Sequence, residues 1–522
     1  MNVRELLESQ SSVYAHKEYL FCGDGIWTYR QFDERVNQAA NSFLEIGIKL
    51  GERVGLMLRN SPEFLFAWLG LNKIGAVMVP INTAFKEPEV SYIINHCSAT
   101  GLIVSQETYE VADEVKKKSA TLNWLASVEA IGDDPTLNLG VLWDKASKAL
   151  KSIQLHENHL ATIIYTSGTT GPPKGVMHAH RSYVLCGQAM IARSALTSDD
   201  RLMVILPFFH ANAQFYSTMG SLAAGASLVV IPKFKASRFW HQARKYQATQ
   251  FGFVGAIGRI LIARPEDEFD PHHVIRVANG ALVPENVYFA FTGRFKIPHV
   301  IDGYGLTECP SVSNNPIGGR VKIGSMGRPA NLPNSGQPFS EMRVIDENGH
   351  ELPANEIGEL IVRSPVLMKG YYNDPQQTVE AVRDGWFHTG DYCYRDEDGY
   401  FFFVDRKKDI IRRKGENISS VEVEGVINAH PHVLESAVVA VASTLSEDEV
   451  KAFVVPKESL AATELIDWCM ERLADFKLPR YIVFRENLPK TPTQRIAKYL
   501  LKELSIPEKY FDMAPYIQDK KR

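Results

Sequence analysis

Short apolar runs separated by capped, amphipathic helices constrain this chain most. In residues 27 to 47, WTYRQFDERVNQAANSFLEIG, Thr28 and Gln31 have capping-box spacing. Phe32, Val36, Ala39, Ala40 and Phe43 then share one helical face, and Gly47 ends the run. The apolar stretch RVGLML follows, then Ser61-Pro62 as an N-cap and first helical residue, then EFLFAWLGLNKIGA and VMVP. The pattern recurs in RLMVILP, ASLVVIP and PHVIDGYG, each running into a loop rich in Pro, Gly or His. Helix alternating with buried strand predicts an α/β fold, with ligands beyond the carboxyl ends of the strands.

From about Ser335 the texture changes. EMRVIDENGHELPANEIGELIVRS and DEDGYFFFVDR carry frequent turn signals and predict an antiparallel β subdomain. Beyond Lys408 the chain is more charged and has its own helix and strand signals, so a boundary is expected near Asp405 to Asp409. At 522 residues the chain is too long for one ordinary core. A net charge of −4 gives no electrostatic reason to expect nucleic acid or an acidic membrane surface. No window approaches the ~18 apolar residues of a membrane span, and the N-terminus has no apolar leader, which leads to the expectation of a cytoplasmic protein. The six cysteines lack CxxC or Cys/His spacing, so they read as reduced structural thiols and not as a zinc site or disulfide framework.

Residues 165 to 175, YTSGTTGPPKG, have the chemistry of an anion cradle: glycines that let backbone amides approach, hydroxyls on Ser167, Thr169 and Thr170, and the Lys174 charge. They do not form a Walker loop, because Gly175 follows Lys174 where a metal-binding hydroxyl would stand. Alone, the stretch reads first as a Gly/Pro-rich surface loop, ahead of a cradle. It is followed in order by IDGYGLTE (301 to 308), FHTGD (387 to 391), VDRKKDIIRRKGENI (404 to 418) and LPKTPTQRIAK (488 to 498).

This ordered set resembles the adenylate-forming superfamily of acyl-CoA synthetases, luciferases and peptide-synthetase adenylation domains, over nearly the whole chain. The resemblance implies a large N-terminal domain, 1–405, and a small mobile α+β C-terminal domain, 406–522. It also implies a reaction in two steps: a carboxylate attacks the α-phosphate of Mg-ATP to give an acyl-adenylate and pyrophosphate, and a thiol then displaces AMP. The implied cofactors are ATP, Mg2+ and coenzyme A, the implied partner is a small carboxylate, and a homodimer is left open.

Residue by residue, the resemblance puts Thr169, Thr170 and Lys174, with Ser167, on the β and γ phosphates. It puts Thr307 on the α-phosphate and Glu308 on magnesium, a hard cation suited to oxygen ligands. Tyr304 would stack on adenine, with Asn279, Gly280, Ala281 and Asp302 around it. Asp391 would accept from the ribose hydroxyls beside Arg406, and Lys408 would be the hinge. Gly415 would let the pantetheine arm of CoA approach the backbone. His210 would gate the acyl pocket, lined by Gln214, Phe215, Gly280 and Gly305. Taken singly, each has a plainer reading: Glu308 an exposed loop acid, Tyr304 a core aromatic, TGD a turn, Lys408 one charge in a solvated basic turn, His210 a hydrogen-bonded structural residue. His178 and His180 in MHAH lack a companion ligand pattern, and no metal is expected there.

The last motif departs from the family. Gln494, Arg495 and Ile496 stand where the family has Gly, Lys and Ile. Arg495 keeps the positive charge with a bulkier, planar fork, and Lys498 lies three residues on. The N-terminal half most resembles carnitine and crotonobetaine CoA ligases. Phe208, Phe209, Phe215 and Tyr216 offer rings for a trimethylammonium group, and would equally suit a fatty or aromatic acid. A carrier-protein-loading adenylation enzyme, a luciferase-like oxygenase and a non-catalytic nucleotide-binding relative remain as alternatives.

Overall fold

The structure, a computed structural model, describes residues 1–132, 137–166, 172–332, 338–413, 416–442, 448–490, 496–503 and 510–520. It divides into two compact units. Among the described residues, the first holds 1–166, 172–342 and 362–387, and the second 343–361 and 388 onward.

Two mainly parallel sheets build the first unit. One runs in the order Arg328–Pro329, Ser313–Asn314, His299–Tyr304, Val277–Ala281, Gln250–Gly252, Arg201–Val204, Ser227–Val230, Glu18–Cys22, Gly25–Thr28. Its central strands, from His299–Tyr304 to Glu18–Cys22, are parallel. The other runs Gly370–Tyr371, Lys174–Ala179, Leu160–Thr166, Val77–Pro80, Arg53–Met57, Gly101–Val104, Trp124–Ser127, Leu137–Asn138. Here the strand Lys174–Ala179 folds back antiparallel on Leu160–Thr166, and Gly370–Tyr371 pairs antiparallel with it. The sequence expected to form the cradle joins Leu160–Thr166 to Lys174–Ala179, and its residues 167–171 lie outside the described residues.

The sequence signals of the helix Tyr29–Glu45 hold in detail. Thr28 and Gln31 cap each other reciprocally at the start of Tyr29–Glu45. Phe32, Val36, Ala39, Ala40 and Phe43 are all fully buried; each large side chain removed from water contributes about 1.5–3 kcal/mol. The neighbouring helix, Pro62–Lys73, starts at Ser61, whose hydroxyl accepts from the amide of Phe64. It comes so close that a side chain on Gly70 would meet Ala39 Cβ at 3.0 Å. Burial on nearly all its sides explains why that helix reads as continuously apolar.

An antiparallel sheet of Glu341–Ile345, Gly358–Arg363, Trp386–Arg395, Val382–Arg383 and Phe401–Arg406 follows, as the turn-rich texture predicts. The second unit has its own four-stranded sheet, Val433–Ala442, Asp448–Pro456, Tyr481–Phe484 and Phe511–Asp512. The helices Ser420–Asn428 and Ala462–Met470 cover it with a separate core of Val423, Ile427, Val438, Val450, Leu465 and Ile482. Among the described residues, no helix is long and apolar enough to cross a membrane. All six cysteines are free thiols, and all but Cys22 are buried.

Candidate active site

Register brings the predicted nucleotide residues of the first unit together. The parallel strands Val277–Ala281 and His299–Tyr304 align Asn279 with Ile301, Gly280 with Asp302 and Ala281 with Gly303. All the named residues therefore sit at one carboxyl edge of the sheet, where ligands of such folds bind. Close approach explains the glycines. A side chain on Gly303 would meet the Ser313 carbonyl oxygen at 2.5 Å, and one on Gly305 would meet the Tyr216 hydroxyl at 2.6 Å. Asp302 is buried, with one carboxyl oxygen accepting from the amide of Val283 at 2.9 Å and the other from the amide of Gly303 at 2.8 Å. Burial pushes its pKa up to about 7 against those donors. The side-chain oxygen of Asn279 is buried without a partner among the described residues, an acceptor suited to a ligand N–H. Tyr304 ends its strand almost fully buried.

A second group forms around a residue that the sequence reading passed over. Tyr371 lies opposite Val176 on the short edge strand and donates its hydroxyl to Glu308 Oε1 at 3.0 Å. Lys174 Nζ stands 5.0 Å from the centre of the same ring. One phenol thus links the cradle lysine to the predicted magnesium carboxylate. Burial, then the Glu308 charge, hold that phenol well above its usual pKa, so it stays a donor. The Gly-Tyr pair at 370–371 was the available signal, since a strand glycine marks a close backbone approach. Thr307 is held from below: the buried His178 ring donates from Nε2 to the Thr307 carbonyl at 2.6 Å. Burial lowers the His178 pKa to about 4, which keeps the ring neutral. Among the described residues there is no group of three or more His, Cys, Asp or Glu that could hold a metal ion.

The acyl-pocket assignment needs correcting. Residues 212 to 218 form a π-helical turn, Asn212–Thr218, which shifts side-chain directions relative to an α-helix. Gln214 and Phe215, expected to line the pocket, are instead wholly enclosed. Gln214 accepts from the Tyr183 hydroxyl and donates to the Phe208 carbonyl at 2.6 Å, and Phe215 stacks on Tyr183 at 4.3 Å. Phe208 is likewise buried, stacked on Phe64. Partly exposed on this turn are Asn212 and Tyr216. A side chain on Gly252 would meet the Asn212 amide oxygen at 3.0 Å, and the Tyr216 hydroxyl accepts from the Ser311 amide at 2.8 Å. The buried Arg193 guanidinium lies 5.4 Å from the Tyr216 ring and reaches the Gly280 carbonyl at 3.4 Å. His210 precedes the turn, partly exposed, its ring 4.5 Å from that of Phe209.

In the second unit, Asp391 and Arg406 are cross-strand partners, with Arg406 Nε 3.3 Å from Asp391 Oδ1. Asp391 is buried and Arg406 partly exposed. Lys408 occupies the turn just after the strand Phe401–Arg406; burial lowers its pKa. Lys498 is committed elsewhere. It pairs with Glu424 at 2.7 Å and donates to Ser420 Oγ at 2.6 Å. Ser167, Thr169, Thr170, Gly415 and Arg495 lie outside the described residues.

Comparison with known proteins identifies the family. The AMP-binding enzyme family matches residues 7–372, and the AMP-binding enzyme C-terminal domain matches residues 422–495. A crotonobetaine/carnitine–CoA ligase of Escherichia fergusonii is 34% identical over 518 residues, covering 96% of this chain and 99% of that one. One from Salmonella typhimurium is 34% identical over 520 residues with the same coverage. Among solved structures, the anthranilate CoA ligase AuaEII in complex with anthranoyl-AMP superposes with a TM-score of 0.89 at 29% identity, covering 96% of this chain and 97% of that one. ATP-bound MatB from Rhodopseudomonas palustris gives 0.87 at 28% identity, covering 96% and 99%. The chain belongs to the AMP-binding enzyme family, as an AMP-forming acid–thiol ligase.

Proposed function

We propose that the acid this ligase activates is a small betaine, carnitine or crotonobetaine, and that its thiol is coenzyme A. The observation that carries the proposal is 34% identity along 518 residues to ligases named for those acids. Of the rings that could surround a trimethylammonium group, Phe208 and Phe215 belong to the core, which leaves Phe209 and Tyr216.

ATP would lie with its adenine at the carboxyl edge carrying Asn279, Gly280, Ala281, Asp302 and Tyr304, and with its outer phosphates at Lys174. Asp391 would accept from the ribose hydroxyls. Glu308 suits Mg2+, which takes one or two carboxylates and fills its shell with water and phosphate oxygens; the bound ion would supply charge neutralisation. Tyr371 would then orient the carboxylate and, through its ring, the ammonium of Lys174. Thr307, supported by His178, would donate to the α-phosphate as charge develops there. Lys408 would divide an N-terminal domain, 1–405, from a mobile C-terminal domain, 406–522. Free, mostly buried thiols support a reducing, cytoplasmic setting.

The test is kcat/KM for CoA thioester formation across carnitine, crotonobetaine and medium-chain fatty acids. The betaines are expected to lead. A preference for an unbranched fatty acid overturns the substrate assignment, and activity with a carrier protein but not with free CoA overturns the thiol.

A further inference from the structure

The turn containing Lys408 is bridged by a clasp that the assigned roles do not explain. Upstream of the turn, Asp405, the penultimate residue of the strand Phe401–Arg406, is almost fully buried, and one carboxyl oxygen accepts from the Arg406 amide at 2.7 Å. Its other oxygen reaches past the turn and accepts from both the amide and the hydroxyl of Ser420, each at 2.6 Å. Ser420 is itself fully buried, at the first turn of the helix Ser420–Asn428. Its hydroxyl accepts in turn from Lys498 Nζ at 2.6 Å, and Lys498 is paired with Glu424. Glu424 is anchored to the Val438 amide at 2.7 Å, within the four-stranded sheet. A continuous chain thus runs from the strand before the turn to the sheet after it.

The restraints around Lys408 fall into two kinds. Some stay on one side of its rotatable bonds. The Lys407 amide donates to the Gly390 carbonyl at 2.9 Å, and Lys502 Nζ donates to the Lys408 carbonyl at 2.8 Å and to Asp409 at 3.0 Å. Rotation about ψ of Lys408 carries its carbonyl along with Asp409, so the Lys502 contacts survive it. Others cross the rotatable bonds: the Asp409 and Ile410 amides to the Arg406 carbonyl, the Ser419 hydroxyl to the Val404 carbonyl at 2.6 Å, and Ser420 to Asp405. A large rotation has to break these. The Ser420–Asp405 contact is the charge-assisted one, and therefore the strongest of them.

We propose that Ser420 is a positioning residue for the two-step reaction: its hydroxyl, relaying Lys498 to Asp405, closes a clasp across the Lys408 turn whose opening accompanies rotation there. The clasp sets how the enzyme divides between its half-reactions, and it does so without touching substrate. The proposal rests on the reading of Lys408 as a hinge, which has its own test in Lys408→Pro.

The experiment measures pyrophosphate exchange and, separately, thioester formation from supplied acyl-adenylate. Ser420→Ala removes the hydroxyl relay and leaves the amide bond to Asp405. It is expected to change the ratio of the two rates by about tenfold, equivalent to about 1.4 kcal/mol. Ser420→Thr, which restores a hydroxyl, should return the ratio toward wild type, and tryptic cleavage at Arg406, Lys407 or Lys408 should quicken in Ser420→Ala. Asp405→Asn provides an independent variant of the same contact if Ser420→Ala is poorly folded. An unchanged ratio in the folded variants, whether both rates hold or both fall equally, overturns the clasp and leaves a helix cap. If Lys408→Pro separates the half-reactions while Ser420→Ala does not, only the clasp fails; if Lys408→Pro does not separate them, the hinge reading fails first.

Discussion

Tyr371 does two things with one side chain, and they come apart by mutation. Tyr371→Phe keeps the ring beside Lys174 and removes the hydroxyl that Glu308 accepts. A hydrogen bond to a charged group contributes about 1.5–3 kcal/mol, so pyrophosphate exchange should slow at least about tenfold with little change in Tm. Wild-type exchange by the Phe variant would show that Glu308 is oriented by something else. Arg495 is expected to carry the cation that the family supplies by lysine, because Lys498 is occupied by Glu424 and Ser420. Arg495→Ala should slow adenylation by roughly a hundredfold, about 3 kcal/mol, and leave thioester formation from acyl-adenylate nearly unchanged. Equal losses in both steps would contradict that. Asp302 gives a pH signature. Its pKa is about 7 in the fold against the ordinary carboxyl value of 3.8, so between those pH values the native state holds a proton that the unfolded chain has lost. Its contribution to stability is therefore full at low pH and is lost as pH rises through about 7. Urea unfolding of wild type and Asp302→Asn from pH 4 to 8 should show the wild type losing stability relative to the variant over that range; parallel curves would refute the shift.

At the scale of elements, what the sequence announces and what it hides differ for a physical reason. The helix Tyr29–Glu45 is legible because its cap and buried face are local: Thr28, Gln31 and the i, i+3, i+4 spacing lie within one stretch of chain. The strand under Asp302 is legible as the apolar run in PHVIDGYG. The π-helical turn Asn212–Thr218 is not, because one extra residue per turn leaves no periodic mark in so short a segment. The family resemblance places Gln214 and Phe215 in the pocket, while the turn encloses both and gives partial exposure to Asn212 and Tyr216. Tyr371 is hidden for another reason: its partners Glu308 and Lys174 are far away in sequence, and only the pairing of Gly370–Tyr371 with Lys174–Ala179 unites them. The strand ends also predict a sharp sterical limit. Gly305→Ala would put a methyl 2.6 Å from the Tyr216 hydroxyl and 2.9 Å from the Ser311 amide. That should raise KM for the acid by more than Tm falls; an unchanged KM would remove Gly305 from the pocket.

For the whole molecule, the family resemblance read from five ordered motifs covers what local signals cannot: which distant segments serve one reaction. Beyond Lys408 the chain buries a core of its own around Ile411, Val423, Val438, Val450 and Leu465. Lys408→Pro, which fixes φ near −65°, should leave acyl-adenylate formation largely intact and suppress thioester formation; equal loss in both steps would argue against a hinge. All of this depends on a carboxylate attacking the α-phosphate of ATP. The most direct measurement follows the products of a complete turnover with ATP, Mg2+, an accepted acid and CoA, together with exchange of labelled pyrophosphate into ATP. Stoichiometric AMP and pyrophosphate, with exchange that requires the acid but not CoA, is the expected result; stoichiometric ADP and phosphate would contradict it.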